Sequence, residues 1–305
     1  MNYVLGSSLT GLLVGYILDC PIIGGDLGGR SKAPFPLGPM ILEQTEEAYW
    51  LMFRLCITVP EPKKFIVGYY ENGEVSITAP DGFKDTYYEK TRGSGTPLPS
   101  TMSGGKSVIV GWDVKDLNLL SKLKERVKVL PAEVLSVDTS GRTIHLKDLN
   151  IFYDRLINTV PLPKFMDLAK IPYNPARFKT WGTYFVKGTL ETATHPITKA
   201  LFENVFSYVY VADPIYPFHR VTRISENELV MEIREDRMHS SFCHPALGVS
   251  HDTGHLIPDC QMIHTEQTYQ RVADVDLIGR YAEWDHRMKI EHVIRRAKEY
   301  ARQMG

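Results

Sequence analysis

The residues with the plainest chemical reading open the chain: Asn2-Tyr-Val-Leu-Gly6-Ser7-Ser8-Leu9-Thr10-Gly11, followed by Leu-Leu-Val-Gly15. A short apolar run, then glycines spaced by small polar residues, is how a backbone offers its amides to a phosphate. Gly6 suits the sharp turn from strand to helix. Gly11 and Gly15 let the helix lie close against a sheet. The amides at the start of that helix, with the positive end of its dipole, then face an anion. The stretch predicts a β-α-β unit: a strand over residues 3–5, a helix over about 9–18 and a second strand around Ile22. That unit opens a dinucleotide-binding domain whose pyrophosphate lies on Gly6, Ser7, Ser8, Leu9, Thr10 and Gly11. The usual pattern is G-x-G-x-x-G, and Ser8 takes the place of the middle glycine. Serine is small, and its hydroxyl can donate to a phosphate.

A second set of chemically able residues is Cys243, His244, His251, His255, Cys260 and His264. Six thiols and imidazoles within a short span could hold zinc. No Cys-x-x-Cys knuckle is present, so the region reads as a loop with surface histidines, and no metal is expected. Cys20 and Cys56 complete a set of four cysteines without framework spacing, which predicts reduced thiols in a cytoplasm. The apolar start has neither the basic flank of a signal peptide nor the roughly 20 apolar residues of a membrane span. No membrane association is expected. The 305 residues carry a net charge of −1, with 43% hydrophobic and 23% charged residues. Nucleic acid is possible as a partner, but this charge gives no footprint for it.

The elements that must position these residues follow in order. Residues 33–45 are extended and rich in proline. Thr45 is an N-cap, with Glu46 and Glu47 in the first turn of a helix to about Leu55. Residues 65–78 read as a hairpin around Glu71-Asn72-Gly73-Glu74. Asp113 is expected to open an amphipathic helix with Leu117, Leu120 and Leu123 inward. A strand over 127–137 pairs with one over 143–146, and 152–161 reads as one buried strand. Residues 180–235 are mostly strand, and a helix over about 290–303 closes the chain with Arg295, Arg296, Lys298 and Arg302 on its exposed side.

Taken together, these segments resemble the flavoprotein group that holds UDP-galactopyranose mutases, protoporphyrinogen oxidase and the flavin amine oxidases. Gly6 to Gly11 looks like the group's phosphate turn, and Gly28-Gly29-Arg30 like its second glycine pair. Gly38-Pro39-Met40-Ile41-Leu42, ahead of a helix carrying Trp50, is similar to a segment beside the flavin ring. The strand around Val134 resembles the one touching adenine, and residues 153–162 a strand entering the substrate domain. Ile215-Tyr-Pro-Phe-His219-Arg220-Val-Thr is similar to the mutases' Pro-Phe-Tyr-Arg-Val. Gly279-Arg280-Tyr-Ala-Glu-Trp284 resembles their closing Gly-Arg-Leu-Ala-Glu-Tyr.

The resemblance implies an α/β fold, with a Rossmann-type FAD-binding domain built from discontinuous segments (1–55, 100–165 and 262–305). A smaller β-rich substrate domain would take 56–99 and 166–261. FAD is the implied cofactor. Its ligands would be the residues of the turn, Gly28, Gly29, Arg30, Gly38, Pro39, Met40, Val134, Gly279, Arg280, Trp284 and Ile290. The acid that usually binds the ribose is missing, and Asp26 is the candidate replacement. Where the mutases have two histidines, this chain has Met40 and Glu43.

His219 and Arg220, with Met40, are the catalytic candidates. Arg220 also suits a substrate carboxylate or phosphate, with Tyr208, Tyr210 and Arg223 beside it. The bland alternatives are a strand histidine, a structural ion pair and core aromatics. The implied function is oxidation or cleavage at a carbon–nitrogen bond of a polar, anionic small molecule, amino-acid-like or linked to a nucleotide or DNA base. A mutase-like reaction on a nucleotide sugar and a flavoprotein without turnover are the alternatives. The sequence leaves the oligomeric state open.

Overall fold

The computed structural model describes residues 1–25, 33–92, 107–204, 206–238, 247–262, 267–285 and 287–304. The first strand, Asn2–Leu5, lies inside a six-stranded sheet. Arg155–Asn158 and Ile22–Gly24 flank it in parallel, Val275–Leu277 and Val129–Pro131 lie outside these, and Arg271–Val272 closes one edge. Alternate residues of these strands serve two cores. Val4, Ile22 and Ile157 pack with Leu12, Leu13 and Val14 of the helix Leu9–Leu18 and with Val293, Ile294 and Ala297 of the closing helix Ile290–Met304. Leu5, Ile23 and Leu156 face the other way, toward Val137, Ile144, Leu162 and Phe165. That second layer comes from the helix Leu162–Leu168 and a three-stranded sheet of Val134–Asp138, Thr143–Leu146 and Asn150–Phe152.

The helix Leu9–Leu18 lies tight on the sheet because it can. A Cβ at Gly15 would come within 2.7 Å of Ile22 Cγ1. Asp19, in the left-handed region at φ 50°, ends the helix, and the Cys20 amide donates to Gly15 O over 2.9 Å. Thr45 caps Glu46–Arg54 as its sequence position predicts, its hydroxyl accepting from the Ala48 amide.

The larger sheet has nine strands. In order these are Val249–Met262, Thr180–Leu190, Glu228–Arg234, Phe218–Arg223, Phe206–Val211, Lys63–Glu71, Val108–Asp113 and Ile41–Glu43, with Glu74–Ser76 paired to Lys63–Glu71. One face packs Val186, Val209, Val221 and Met231 against Ile197 and Leu201 of the helix Pro196–Phe202. The other face carries Tyr69, Tyr208 and Phe185. It is covered by Phe83, Tyr87 and Tyr88 of the helix Phe83–Arg92 and by Leu37. Among the described residues, no helix is long and apolar enough to cross a membrane.

The α/β class, the β-α-β opening, the hairpin and the closing helix are as the sequence predicts. Four expectations are corrected. The stretch expected as one strand over 127–137 is two, Val129–Pro131 and Val134–Asp138, belonging to different sheets. The chain over 152–161 likewise breaks at Tyr153-Asp154, between Asn150–Phe152 and Arg155–Asn158. Asp113 ends a strand instead of opening a helix; its Oδ1 accepts from the Lys115 amide, and the helix is Leu119–Arg126.

The region read as a histidine-bearing loop contains the strand Val249–Met262. It is an edge strand, so polar residues, Gly254 and Pro258 are tolerated there and the apolar alternation is lost. His255 pairs with Phe185 on that edge, while Cys243, His244 and His264 fall outside the described residues.

Candidate functional site

The phosphate turn is built as its residue types require. Gly6 has φ 106°, where a side chain is strained, and a Cβ there would lie 2.7 Å from the hydroxyl of Thr159. Thr159 Oγ1 donates to Leu5 O over 2.8 Å, and the Gly6 amide donates to Ile23 O over 2.8 Å, which fixes the turn between the strands on either side. Ser7 is buried, and its hydroxyl donates to Gly25 O over 2.6 Å. A Cβ at Gly11 would overlap the carbonyl of Gly6. The third glycine of the pattern therefore serves the close approach of helix and turn.

Ser8 is the N-cap. Its side chain makes no capping bond, and the first turn of the helix holds no acidic residue. Among the described residues, the leading amides and the positive end of the dipole thus have no side-chain acceptor.

Gly279 closes over this turn. Its φ is 119°, and a Cβ there would come within 2.6 Å of Thr10 Cγ2. Beneath it is Glu283, whose role the sequence reading missed although it lies inside the Gly279–Trp284 segment. Glu283 is buried, its Oε1 accepts from the Gly279 amide over 3.3 Å, and the Glu283 amide donates to Gly279 O over 2.8 Å. Burial pushes its carboxyl up to about 7, against that hydrogen bond and the charge of Arg296. Arg280 is exposed, with Nε donating to Met288 O over 2.9 Å. Trp284 is fully buried among core residues, its ring edge-on to Phe178 at 5.1 Å. Ile290 begins the closing helix, half-buried. Val134 is half-buried at the start of its strand, and nearby Ala132 donates to Gly24 O over 3.3 Å. Asp26, Gly28, Gly29 and Arg30 lie outside the described residues.

A second group gathers on the larger sheet. A cavity of about 90 Å³ is lined by Leu37, Gly38, Pro39, Ile41, Tyr208, Arg220 and Thr222. Strand pairing explains the set: Tyr208 opposes Thr222 and Tyr210 opposes Arg220, so all four share the face that Leu37 and Gly38 cover. A Cβ at Gly38 would meet Thr222 Cγ2 at 2.7 Å. Met40 lies just beyond, half-buried against the core of the smaller sheet.

Arg220 is oriented by Glu232, the residue opposite it on the next strand; both its Nε, at 2.8 Å, and its Nη2 donate to Glu232 Oε1. The guanidinium also stands 5.8 Å from the Tyr208 ring centroid. The buried carboxylate and neighbouring tyrosines hold Arg220 charged, above even its usual range, outweighing the desolvation that opposes this. Burial raises the Tyr208 phenol as well. His219 sits at a bulge in the pairing, buried, with Nε2 3.8 Å from Glu232 Oε2. Arg223 is not brought to the cavity. It stands on the opposite face, where Nη1 donates to Leu201 O and its guanidinium covers the Phe202 ring at 5.2 Å. Glu232 was missed because nothing in its own strand marks it; only the pairing places it beside Arg220.

No family model matches the chain, and no curated protein matches its sequence. Solved structures are similar in fold. A putative protoporphyrinogen oxidase from Exiguobacterium sp. 255-15 superposes with a TM-score of 0.67 at 10% identity, covering 99% of this chain and 98% of that one. A reduced UDP-galactopyranose mutase gives 0.65 at 12% identity, covering 99% and 95%. A putrescine oxidase redesigned in its cofactor binding gives 0.60 at 11% identity, covering 99% and 98%. The fold is the one these three share, and they are of the kinds to which the sequence resemblance points.

Proposed function

We propose that the chain is a FAD-dependent oxidoreductase that oxidises a carbon–nitrogen bond of a small polar molecule. The observation that carries the FAD part of this reading is the uncapped start of Leu9–Leu18, at a turn in which Gly6 and Gly11 leave no room for side chains. These residues fit the pyrophosphate of a dinucleotide: amides with no side-chain acceptor among the described residues, no acid in the first turn, and small residues at the approach. Gly6, Ser7, Ser8, Leu9, Thr10 and Gly11 would hold that pyrophosphate, with Gly279 against Thr10. Gly38, Pro39, Met40 and Arg280 would border the ring. When bound, the flavin supplies a hydride acceptor. The protein's part is orientation: Tyr208, Tyr210 and Arg220 form the wall across which the substrate lies, and Glu232 fixes the Arg220 fork.

The oxidases among the similar structures support oxidation, and none of the three named is a lyase. A mutase-like reaction on a nucleotide sugar is the second reading, favoured by the Phe218–Val221 and Gly279–Trp284 segments and by the mutase's likeness. We place the enzyme in the cytoplasm on the free thiols of Cys20 and Cys56.

Anaerobic mixing with a panel of amines and amino acids tests the reaction. At least one should bleach the flavin, and in air the same compound should yield hydrogen peroxide with an aldehyde or keto acid. Turnover of a nucleotide sugar only after chemical reduction of the flavin, with no net redox change, would contradict oxidation and support the second reading.

A further inference from the structure

Among the described residues, three side-chain donors are buried without an acceptor at one end of the larger sheet: Trp181 Nε1, Thr183 Oγ1 and Arg234 Nη1. They are neighbours. Thr183 and Arg234 oppose one another between paired strands, and the Arg234 guanidinium lies 4.7 Å from the centroid of the Trp181 ring. Trp181 is two residues from Thr183 on one strand, beside an irregularity in the pairing with the edge strand, and Arg234 reaches both. Thr183 is 0% exposed and Arg234 8%. Folded chains seldom leave such groups unpaired, because each has lost its water without a replacement. Three together point to an acceptor that belongs there.

The surroundings favour a negative one. Asp236 takes Nε and Nη2 of Arg234, at 2.5 and 2.6 Å, leaving Nη1. Arg237 is half-buried nearby, its guanidinium pushed below its usual range by burial and by the charge of Arg234. Lys90, buried, donates to the carbonyls of Val211 and Asp213, and its amine is pushed down to about 7 by burial and by the charge of Arg237. Asp236, Glu89 and Asp213 stand against these cations, and Arg234 Nη1 is a nitrogen that none of them takes. The carboxylate of Glu235 lies against Gly182, on the side of the strand away from Trp181 and Thr183.

Arg234 and Glu232 are two residues apart on one face, about 7 Å along the strand, and Glu232 holds the arginine that lines the cavity. We propose that Trp181, Thr183 and Arg234 form an oxyanion site that holds a carboxylate or phosphate of the substrate. That the anion is the substrate's rests on the reading of the cavity as the substrate pocket.

Thr183→Val deletes one donor with little change of shape, and Trp181→Phe deletes another while keeping an aromatic ring beside Arg234. Thermal midpoints are compared in sodium chloride, sodium acetate and sodium phosphate at equal ionic strength, with Ser8→Asp in parallel to block phosphate at the dinucleotide turn. Phosphate or acetate should raise the wild-type midpoint over chloride by about 2 °C or more at several times its half-saturating concentration. Thr183→Val should keep its midpoint in chloride, and both donor variants should lose at least half of that rise, while Ser8→Asp keeps it; if one donor variant fails to fold, the other decides. The larger response, to acetate or to phosphate, names the anion. No rise in the wild type, a full rise in the donor variants, or loss of the rise in Ser8→Asp would overturn the site. The readout needs no flavin, so a protein that takes up no added FAD and still shows this response would refute the cofactor reading and leave the oxyanion site standing.

Discussion

Arg220 carries the most consequence of any side chain on the larger sheet, because its geometry is set by one partner. Both Nε and Nη2 rest on Glu232 Oε1, and the strand register brings the two residues opposite. Lysine would keep the charge, but its ammonium lacks the planar fork, so its donors cannot rest on Glu232 and face the cavity in one fixed geometry. Arg220→Lys should therefore slow reduction of the flavin by substrate roughly ten- to a hundredfold, the loss of one charge-assisted hydrogen bond at about 1.5–3 kcal/mol. FAD occupancy, read by absorbance, should be unchanged. A variant that loses FAD but keeps its substrate response per bound flavin would make Arg220 a cofactor ligand. The sequence pointed to Arg220 because it falls in a segment with a recognisable pattern, and to Tyr208 only as a strand aromatic near it. Glu232, Trp181, Thr183 and Arg234 were not legible there. Each sits in an unremarkable strand and gains its meaning from a residue on another strand.

At the scale of elements, the opening β-α-β unit is the part most fully written in the sequence. Its turn, helix and second strand are contiguous, so local spacing specifies them. The stretches over 127–137 and 152–161 were misread for the opposite reason. Apolar alternation marks a strand but says nothing of which sheet each half joins, and a two-residue break carries almost no signal.

The unit also separates a structural position, Gly11, from a functional one, Ser8. Gly11→Ala places a methyl against the Gly6 carbonyl, where neither backbone can yield. It should destabilise the fold by at least the ~1–3 kcal/mol of an overpacked core, as a lower thermal midpoint. Ser8→Asp behaves differently. Aspartate is as good an N-cap as serine, and its charge suits the dipole, so stability should hold or rise. The same charge occupies the place of the pyrophosphate, so FAD affinity should fall at least tenfold, or about 1.4 kcal/mol. Equal FAD affinity in Ser8→Asp would remove the turn as the phosphate site.

The whole molecule joins a mostly parallel sheet, layered on both faces, to a nine-stranded sheet whose aromatic face meets residues 33–41. We propose that the segments 1–55, 100–165 and 262–305 serve the cofactor and that 56–99 and 166–261 serve the substrate. The strands Ile41–Glu43 and Val108–Asp113 pair into the larger sheet, which ties the two parts together. The central claim concerns what this assembly holds. It is tested most directly by denaturing the purified protein and identifying the released chromophore by absorbance and mass. The account predicts a yellow protein that yields one FAD per chain, and not FMN, because only a dinucleotide would use the phosphate turn and the strand around Val134 together. A colourless protein that also takes up no added FAD would contradict it.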